Sequence, residues 1–259
     1  MKLSIPLMIT ACLASAAHAK LVEKVVTYEQ GGVTLEGFHV YDDAVSGKRP
    51  AVLVIHQWTG ISDHEKSRSR MLAELGYNVL AADIYGQGIR PEVPAAGKEA
   101  GKYKSDRALF RKRLLAGLAF LKADERSDES KVAAIGFCFG GTGVLELARA
   151  GTPIAGVVSF HGGLDAQQDM TAEAGKIPAK VLVLHGAVDP YVPAGQVTAF
   201  QKEMTAAKAD WQMTFYGGAV HGFTQKSAGD DPAKGAAYDE AADRRSWVAM
   251  QDFFAEIFR

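Results

Sequence analysis

The sequence predicts an α/β fold, a mostly parallel open sheet with helices on both faces. Three observations carry that prediction. Short apolar runs of the kind buried on both faces of a parallel sheet recur along the chain. They alternate with stretches of helical spacing, and strand–helix alternation is the pattern of a parallel sheet covered by helices. The 27 glycines among 259 residues suit the many tight turns that such short elements need. A barrel is the competing arrangement, and the motifs described below favour the open sheet.

In chain order, Val25–Thr27 and Val33–Val40 read as a hairpin around Gly31-Gly32. Ala51–Ile55 is an apolar run fit for a buried strand. Glu65–Leu75 has helical character and stops at Gly76, a residue suited to the position just past a helix end. Asn78–Ala82 is a second buried strand. Arg107–Leu121 sets Leu109, Phe110, Leu114, Leu118 and Leu121 at helical spacing. Val132–Phe137 is a third buried strand and Thr142–Ala150 a helix. Ile154–Phe160 and Val181–His185 are further strands, with a helix at Gly195–Ala207. Gln212–Phe215 is the last strand, and Ala236–Phe258 closes the chain as an amphipathic helix.

Hydrophobic content of 47% and charged content of 23% are ordinary for a globular protein. A net charge of −1 gives no reason to expect nucleic acid or an anionic membrane surface as partner. Residues 1–19 read differently from the rest. Lys2 supplies a basic start, Leu3–Ala17 is apolar and small apart from Ser4, Thr10 and Ser15, and Ala17-His18-Ala19 has the small-x-small pattern of a signal-peptidase site. The expectation is an exported chain, periplasmic or secreted, cut after Ala19, with 20–259 as a single domain. A buried first helix competes with this, but the segment lacks cap signals, and it is too short to span a membrane. Ile9-Thr10-Ala11-Cys12 resembles a lipoprotein acylation box, although the apolar run before it is short. Cleavage after Ala19 removes Cys12 and leaves Cys138 as the one cysteine, so no internal disulfide is expected.

A lone cysteine can be a small buried hydrophobe or a reactive thiol. The local sequence favours the second. Gly136-Phe137-Cys138-Phe139-Gly140 follows a buried strand and precedes a helix, which is the nucleophile-elbow pattern with cysteine in place of serine. The free N–H groups and partial positive charge of the helix start would favour the thiolate. Asp189 follows the Val181–His185 strand, and His221 follows the last strand. Alone, they would be a turn aspartate before proline and a loop histidine. Together they give the order nucleophile, acid, histidine, all at strand carboxyl ends. Cys138 would attack a carbonyl carbon, His221 would move the proton, and Asp189 would orient the imidazole. The backbone N–H groups of Phe139 and of Trp58, in His56-Gln57-Trp58-Thr59-Gly60, are the expected oxyanion donors. His56, His161 and His185 also follow strands and read as packing or hydrogen-bonding residues. They have no metal-ligand spacing. Asp83 reads as a buttress of the loop after its strand.

These segments resemble the dienelactone hydrolase family (carboxymethylenebutenolidase-like). The matching pieces are His56 to Gly60, Ala82-Asp83-Ile84-Tyr85-Gly86, Gly136 to Gly141, His185 to Asp189, and His221-Gly222-Phe223. The resemblance implies an α/β-hydrolase fold, a Cys-Asp-His triad, no metal or other cofactor, and hydrolysis of lactones or esters. It also implies a pocket formed by Gln57, Tyr85, Gln87, Arg90 and Gln225, with two departures. The family often has glutamate at Gln57, a carboxylate that helps activate the thiol. A neutral amide cannot take a proton, which leaves Cys138 to pair directly with His221. Arginines that hold a substrate carboxylate are expected near Gln87 and Gln225. Glutamines there point to a less anionic substrate, with Arg90 and Lys226 as the nearby cations. The expectation is a hydrolase of a small-molecule ester or lactone acting through an acyl-thioester. The alternatives are a thioesterase or peptidase on the same scaffold, or a non-catalytic small-molecule binder, and the fold does not choose among them.

Overall fold

The computed structural model describes residues 20–167 and 175–259. The expected export segment 1–19, with Cys12, lies outside the described residues. Eight strands form one sheet. β1 (Leu21–Gln30) and β2 (Val33–Asp42) make the expected hairpin at one edge. β2 runs antiparallel to β4 (Asn78–Ala82). From there β3 (Arg49–Ile55), β5 (Ser127–Phe137), β6 (Gly156–Phe160), β7 (Lys180–Gly186) and β8 (Trp211–Tyr216) are all parallel. The spatial order is β1-β2-β4-β3-β5-β6-β7-β8. The order reverses between β3 and β5, whose following connections leave in opposite directions. Such a switch point opens a crevice at the strand carboxyl ends.

The helices are α1 (Asp63–Glu74), α2 (Ala95–Ser105), α3 (Arg107–Ala123), α4 (Phe139–Arg149), α5 (Ala194–Ala206) and α6 (Glu240–Ile257). Strand side chains alternate between two cores, as the period of two demands. Ala51, Leu53 and Ile55 of β3 pack with Phe110 and Leu114 of α3, Val144 of α4 and Phe200 of α5. Val52 and Val54 pack on the other face with Leu72 of α1 and with Met250 and Phe254 of α6. Each such Val, Leu, Ile, Phe or Met side chain taken fully from water contributes about 1.5–3 kcal/mol. Among the described residues, no helix is long and apolar enough to cross a membrane.

Among the boundaries that differ from expectation, three helix starts have a clear cause. α1 begins at Asp63 because Ser62 and Glu65 form a reciprocal capping box. α4 begins at Phe139 rather than Thr142, so the helix starts directly on the turn. α6 begins at Glu240, where Asp239 accepts the Ala242 N–H at 2.9 Å, and Ala236 instead pairs with His221 in a short bridge. α2 was not expected at all. Its buried residues are only Ala96, Ala100 and Tyr103, too little apolar mass for the periodicity to stand out.

Candidate active site

The turn after β5 brings strand and helix closer than side chains permit. A Cβ on Gly136 would lie 2.0 Å from the Gly140 carbonyl oxygen, and one on Gly140 would lie 2.2 Å from that of Ile55. Glycine at both places is therefore a steric requirement. Between them Cys138 takes φ 54° and ψ −112°, a strained conformation that a non-glycine residue holds only when its surroundings enforce it. They do so here. The Cys138 N–H is shared between the Phe160 carbonyl at 3.0 Å and His161 Nδ1 at 3.2 Å. The Phe139 ring stacks on Phe110 at 4.5 Å and lies over His56 at 5.7 Å.

The turn delivers the thiol to His221, whose Nε2 is 3.0 Å from Cys138 Sγ. His221 Nδ1 is 2.8 Å from Asp189 Oδ2. The Asp189 carboxylate is fully buried, and its other oxygen accepts the Tyr191 N–H at 2.8 Å. Tyr191 in turn sets its ring edge-on to His221 at 5.3 Å. Burial pushes the Cys138 thiol up. The charge on His221, its hydrogen bond and the Phe139 N–H outweigh that burial, so the thiol lies below its ordinary value. Burial acts against the His221 imidazolium too, but Cys138 and Asp189 overcome it and raise His221 to about 10. Both directions favour a thiolate–imidazolium pair.

His161 stands behind this pair. Its Nδ1 accepts from the Cys138 N–H, so its proton is on Nε2, which donates to Thr224 Oγ1 at 2.8 Å. Burial and the neighbouring His221 charge hold His161 well below the usual histidine range, so it is neutral.

β3 ends level with β5, Ile55 beside Gly136, so the His56–Gly60 loop leaves next to the elbow. Buried Glu65 anchors that loop, accepting the Gln57 N–H at 3.1 Å and the Ser62 N–H at 2.8 Å. His56 Nε2 accepts from Ile84 N–H at 3.2 Å, so its Nδ1 donates to the Gln57 carbonyl at 2.5 Å. In a trans peptide the N–H points opposite to the carbonyl. The Trp58 N–H is thereby turned away from His56, and no acceptor among the described residues takes it.

A cavity of about 380 Å³ opens over Cys138 and His221. Of the expected pocket residues, Gln57 and Gln225 line it, together with the expected oxyanion residues Trp58 and Phe139. Tyr85, Gln87 and Arg90 are not among its lining residues, which corrects that part of the expectation. The Asp83 carboxylate accepts the N–H groups of Glu36 and Gly86, and the Gln87 N–H bonds Thr34 O at 2.9 Å. The loop after β4 is thereby pinned to β2 and away from the thiol. Gln87 Nε2 donates to the Glu36 carboxylate at 3.2 Å. Arg90 donates to the Ile89 and Glu36 carbonyls and lies 3.5 Å from Asp83. Tyr85 lies behind the wall, its hydroxyl donating to the Trp58 carbonyl at 2.9 Å. Lys226 lines a neighbouring polar cavity and reaches over the Tyr238 ring.

The cation that does line the Cys138 cavity is Lys104, on α2 with Gly97 and Ala100. It makes no ion pair among the described residues, and its charge helps to lower the Cys138 thiol. Sequence reasoning missed it with its helix. The Ala96, Ala100, Tyr103 spacing was the available signal. Among the described residues no cluster of side chains suits a metal ion.

An open, mostly parallel sheet with a cysteine elbow, an acid and a histidine at its strand ends is the architecture of an α/β-hydrolase. The model of the dienelactone hydrolase family matches residues 35–258. The chain belongs to that family of hydrolases. A solved structure of a dienelactone hydrolase-like promiscuous phosphotriesterase from metagenomic libraries is 42% identical, with a TM-score of 0.87 over 92% of this chain and 99% of that one. A Bradyrhizobium protein named "Probable 2-oxo-3-(5-oxofuran-2-ylidene)propanoate lactonase" is 29% identical over 189 residues, 69% of this chain and 75% of its own length. An uncharacterized Caenorhabditis elegans protein is 38% identical over 148 residues, 56% of this chain and 92% of its own.

Proposed function

We propose that the protein hydrolyses small esters or lactones through an acyl-thioester on Cys138. The observation that carries this reading is the continuous line from Asp189 through His221 to Cys138 Sγ, at 2.8 and 3.0 Å, opening into the cavity. The thiolate attacks the carbonyl carbon, and the carbonyl π electrons move onto oxygen. The N–H groups of Phe139 and Trp58 stabilise that charge. The C–O bond to the leaving group breaks, and the His221 imidazolium gives its proton to the departing alkoxide. Neutral His221 then takes a proton from water, the hydroxide attacks the thioester, and Cys138 leaves as thiolate. Asp189 holds Nδ1 throughout and favours the charged imidazole.

The cavity suits a small acyl group. Its polar groups include the neutral Gln57, Thr142 and Gln225, and beyond His221 its cation is Lys104, on the α2 wall. Turnover of p-nitrophenyl acetate and of simple lactones by wild type and Cys138→Ala tests the reading, with background rates expected for the variant. Equal rates for the two proteins would refute it. Triester phosphates are a second substrate class, favoured by the 42% identical relative named a promiscuous phosphotriesterase. Hydrolysis of paraoxon by the same pair of proteins checks it. Export with removal of residues 1–19 is part of the same proposal, checked by N-terminal sequencing of secreted protein.

A further inference from the structure

The His56–Gly60 loop contributes more than a backbone donor. Gln57 is 2% exposed yet lines the Cys138 cavity. Its backbone is fixed from both sides, the N–H by Glu65 and the carbonyl by His56 Nδ1 and the Gly60 N–H at 3.2 Å. Its side-chain Nε2 is buried and has no acceptor, the Cys138 sulfur included. A buried donor left without an acceptor is destabilising. Such a group beside a reactive thiol is poised for an acceptor that arrives with the substrate.

We propose that the Gln57 carboxamide is a further oxyanion donor, a catalytic residue whose N–H bonds the substrate oxygen as it gains charge. The inference rests on the nucleophile reading above and extends it. A donor that stays unpaired in the free protein and pairs in the tetrahedral intermediate lowers the barrier without tightening ground-state binding. An ionised carboxylate at this position, as the family often has, carries no N–H to donate and can act only on the thiol side. The amide serves any substrate whose polarised oxygen develops negative charge next to the attacked atom, a carbonyl first and a phosphoryl equally.

The test separates Gln57 from the thiol itself. Alkylation of Cys138 by iodoacetamide is a displacement at a saturated carbon and builds no oxyanion, whereas ester turnover does. For Gln57→Met, kcat on p-nitrophenyl acetate is expected to fall about 10²-fold. KM and the alkylation rate should each stay within about threefold of wild type. Binding of a trifluoromethyl ketone that forms a tetrahedral adduct should weaken alongside kcat. Gln57→Glu keeps the size but, when ionised, has no N–H to donate, and it is expected to lower kcat as well, which guards against a packing artefact in the methionine variant. Normal alkylation also certifies that the elbow is folded. Unchanged kcat in Gln57→Met would overturn the proposal. An alkylation rate that falls as far as kcat would overturn it too, because Gln57 would then act on the thiol. If Cys138→Ala is inactive while Gln57→Met is normal, this inference alone fails. If Cys138→Ala keeps full activity, the nucleophile reading fails and takes this one with it.

Discussion

The two walls of the cavity differ in how they are built. One wall is the elbow with the turns after β7 and β8, where every functional atom sits within two residues or a short loop of a strand end. The other includes α2, where position depends on how an exposed helix lies against the sheet. On the first wall a reactive group needs a strained turn, and strain leaves marks in sequence: the paired glycines at 136 and 140 and the φ 54° of Cys138. On the second a binding group needs only a place on a solvent-facing helix, which leaves none. Chemistry and specificity are thus encoded with different legibility.

The contrast can be broken or sharpened by substitution, starting at the elbow. Gly140→Ala puts a Cβ 2.2 Å from backbone, and a cost of about 3 kcal/mol or more is expected in urea unfolding, with loss of activity. Cys138→Ala, which keeps the fold, should lower kcat/KM for p-nitrophenyl acetate by about 10³-fold or more. Asp189→Asn should follow with a loss of roughly 10³-fold, because the imidazole loses both orientation and charge support.

On the opposite wall the effects should be smaller and selective. Lys104→Met is expected to cost about tenfold in kcat/KM on an ester bearing a carboxylate at its far end and little on a neutral ester of the same size. Equal effects on both would remove Lys104 from substrate recognition. Outside the cavity, Gln87→Ala should change neither rate by more than about twofold, since its side chain is spent on Glu36.

The pH profile tests the charged pair as a unit. Cys138 is lowered from 9.0, so the thiolate is present above that depressed value and is lost on acidification through it. His221 is raised to about 10, so the proton it donates is present below that value and is lost above it. Alkylation of Cys138 should therefore rise with a midpoint below 9.0, and ester turnover should fall again near pH 10. In Asp189→Asn that falling limb should move to lower pH, because a charge that favours the imidazolium has gone.

The same division governs what could be read from the chain beforehand. The buried strands β3, β4, β5 and β7 announce themselves as apolar runs, and β5 with its G-x-C-x-G turn places Cys138 unambiguously. Asp189 and His221 follow because chain order and strand ends limit the choices. α2 was invisible because Ala96 and Ala100 bury little surface, and Lys104 was invisible with it. Arg90 and Gln87 were misplaced because sequence proximity to Tyr85 says nothing about the Asp83 hydrogen bonds that turn the loop toward β2. The apolar spacing alone makes Glu65 an ordinary start of a helix, although Ser62-x-x-Glu65 carries the capping signal that ties α1 to the Gln57 loop. His161 reads from the sequence as a packing or hydrogen-bonding residue, and it hydrogen-bonds the Cys138 N–H and Thr224. Its proximity to Cys138 comes from the register of β6 against β5 and β7, which no local pattern records.

The central claim is that Cys138 carries the acyl group. Acid-quenching the protein during turnover of a slow ester, followed by peptide mass analysis, tests it most directly. The expected result is one acyl group on the peptide containing Cys138, formed and lost at rates consistent with kcat and absent from Cys138→Ala. Turnover that proceeds with no acyl group on Cys138, or with the acyl group on another residue, would contradict the account.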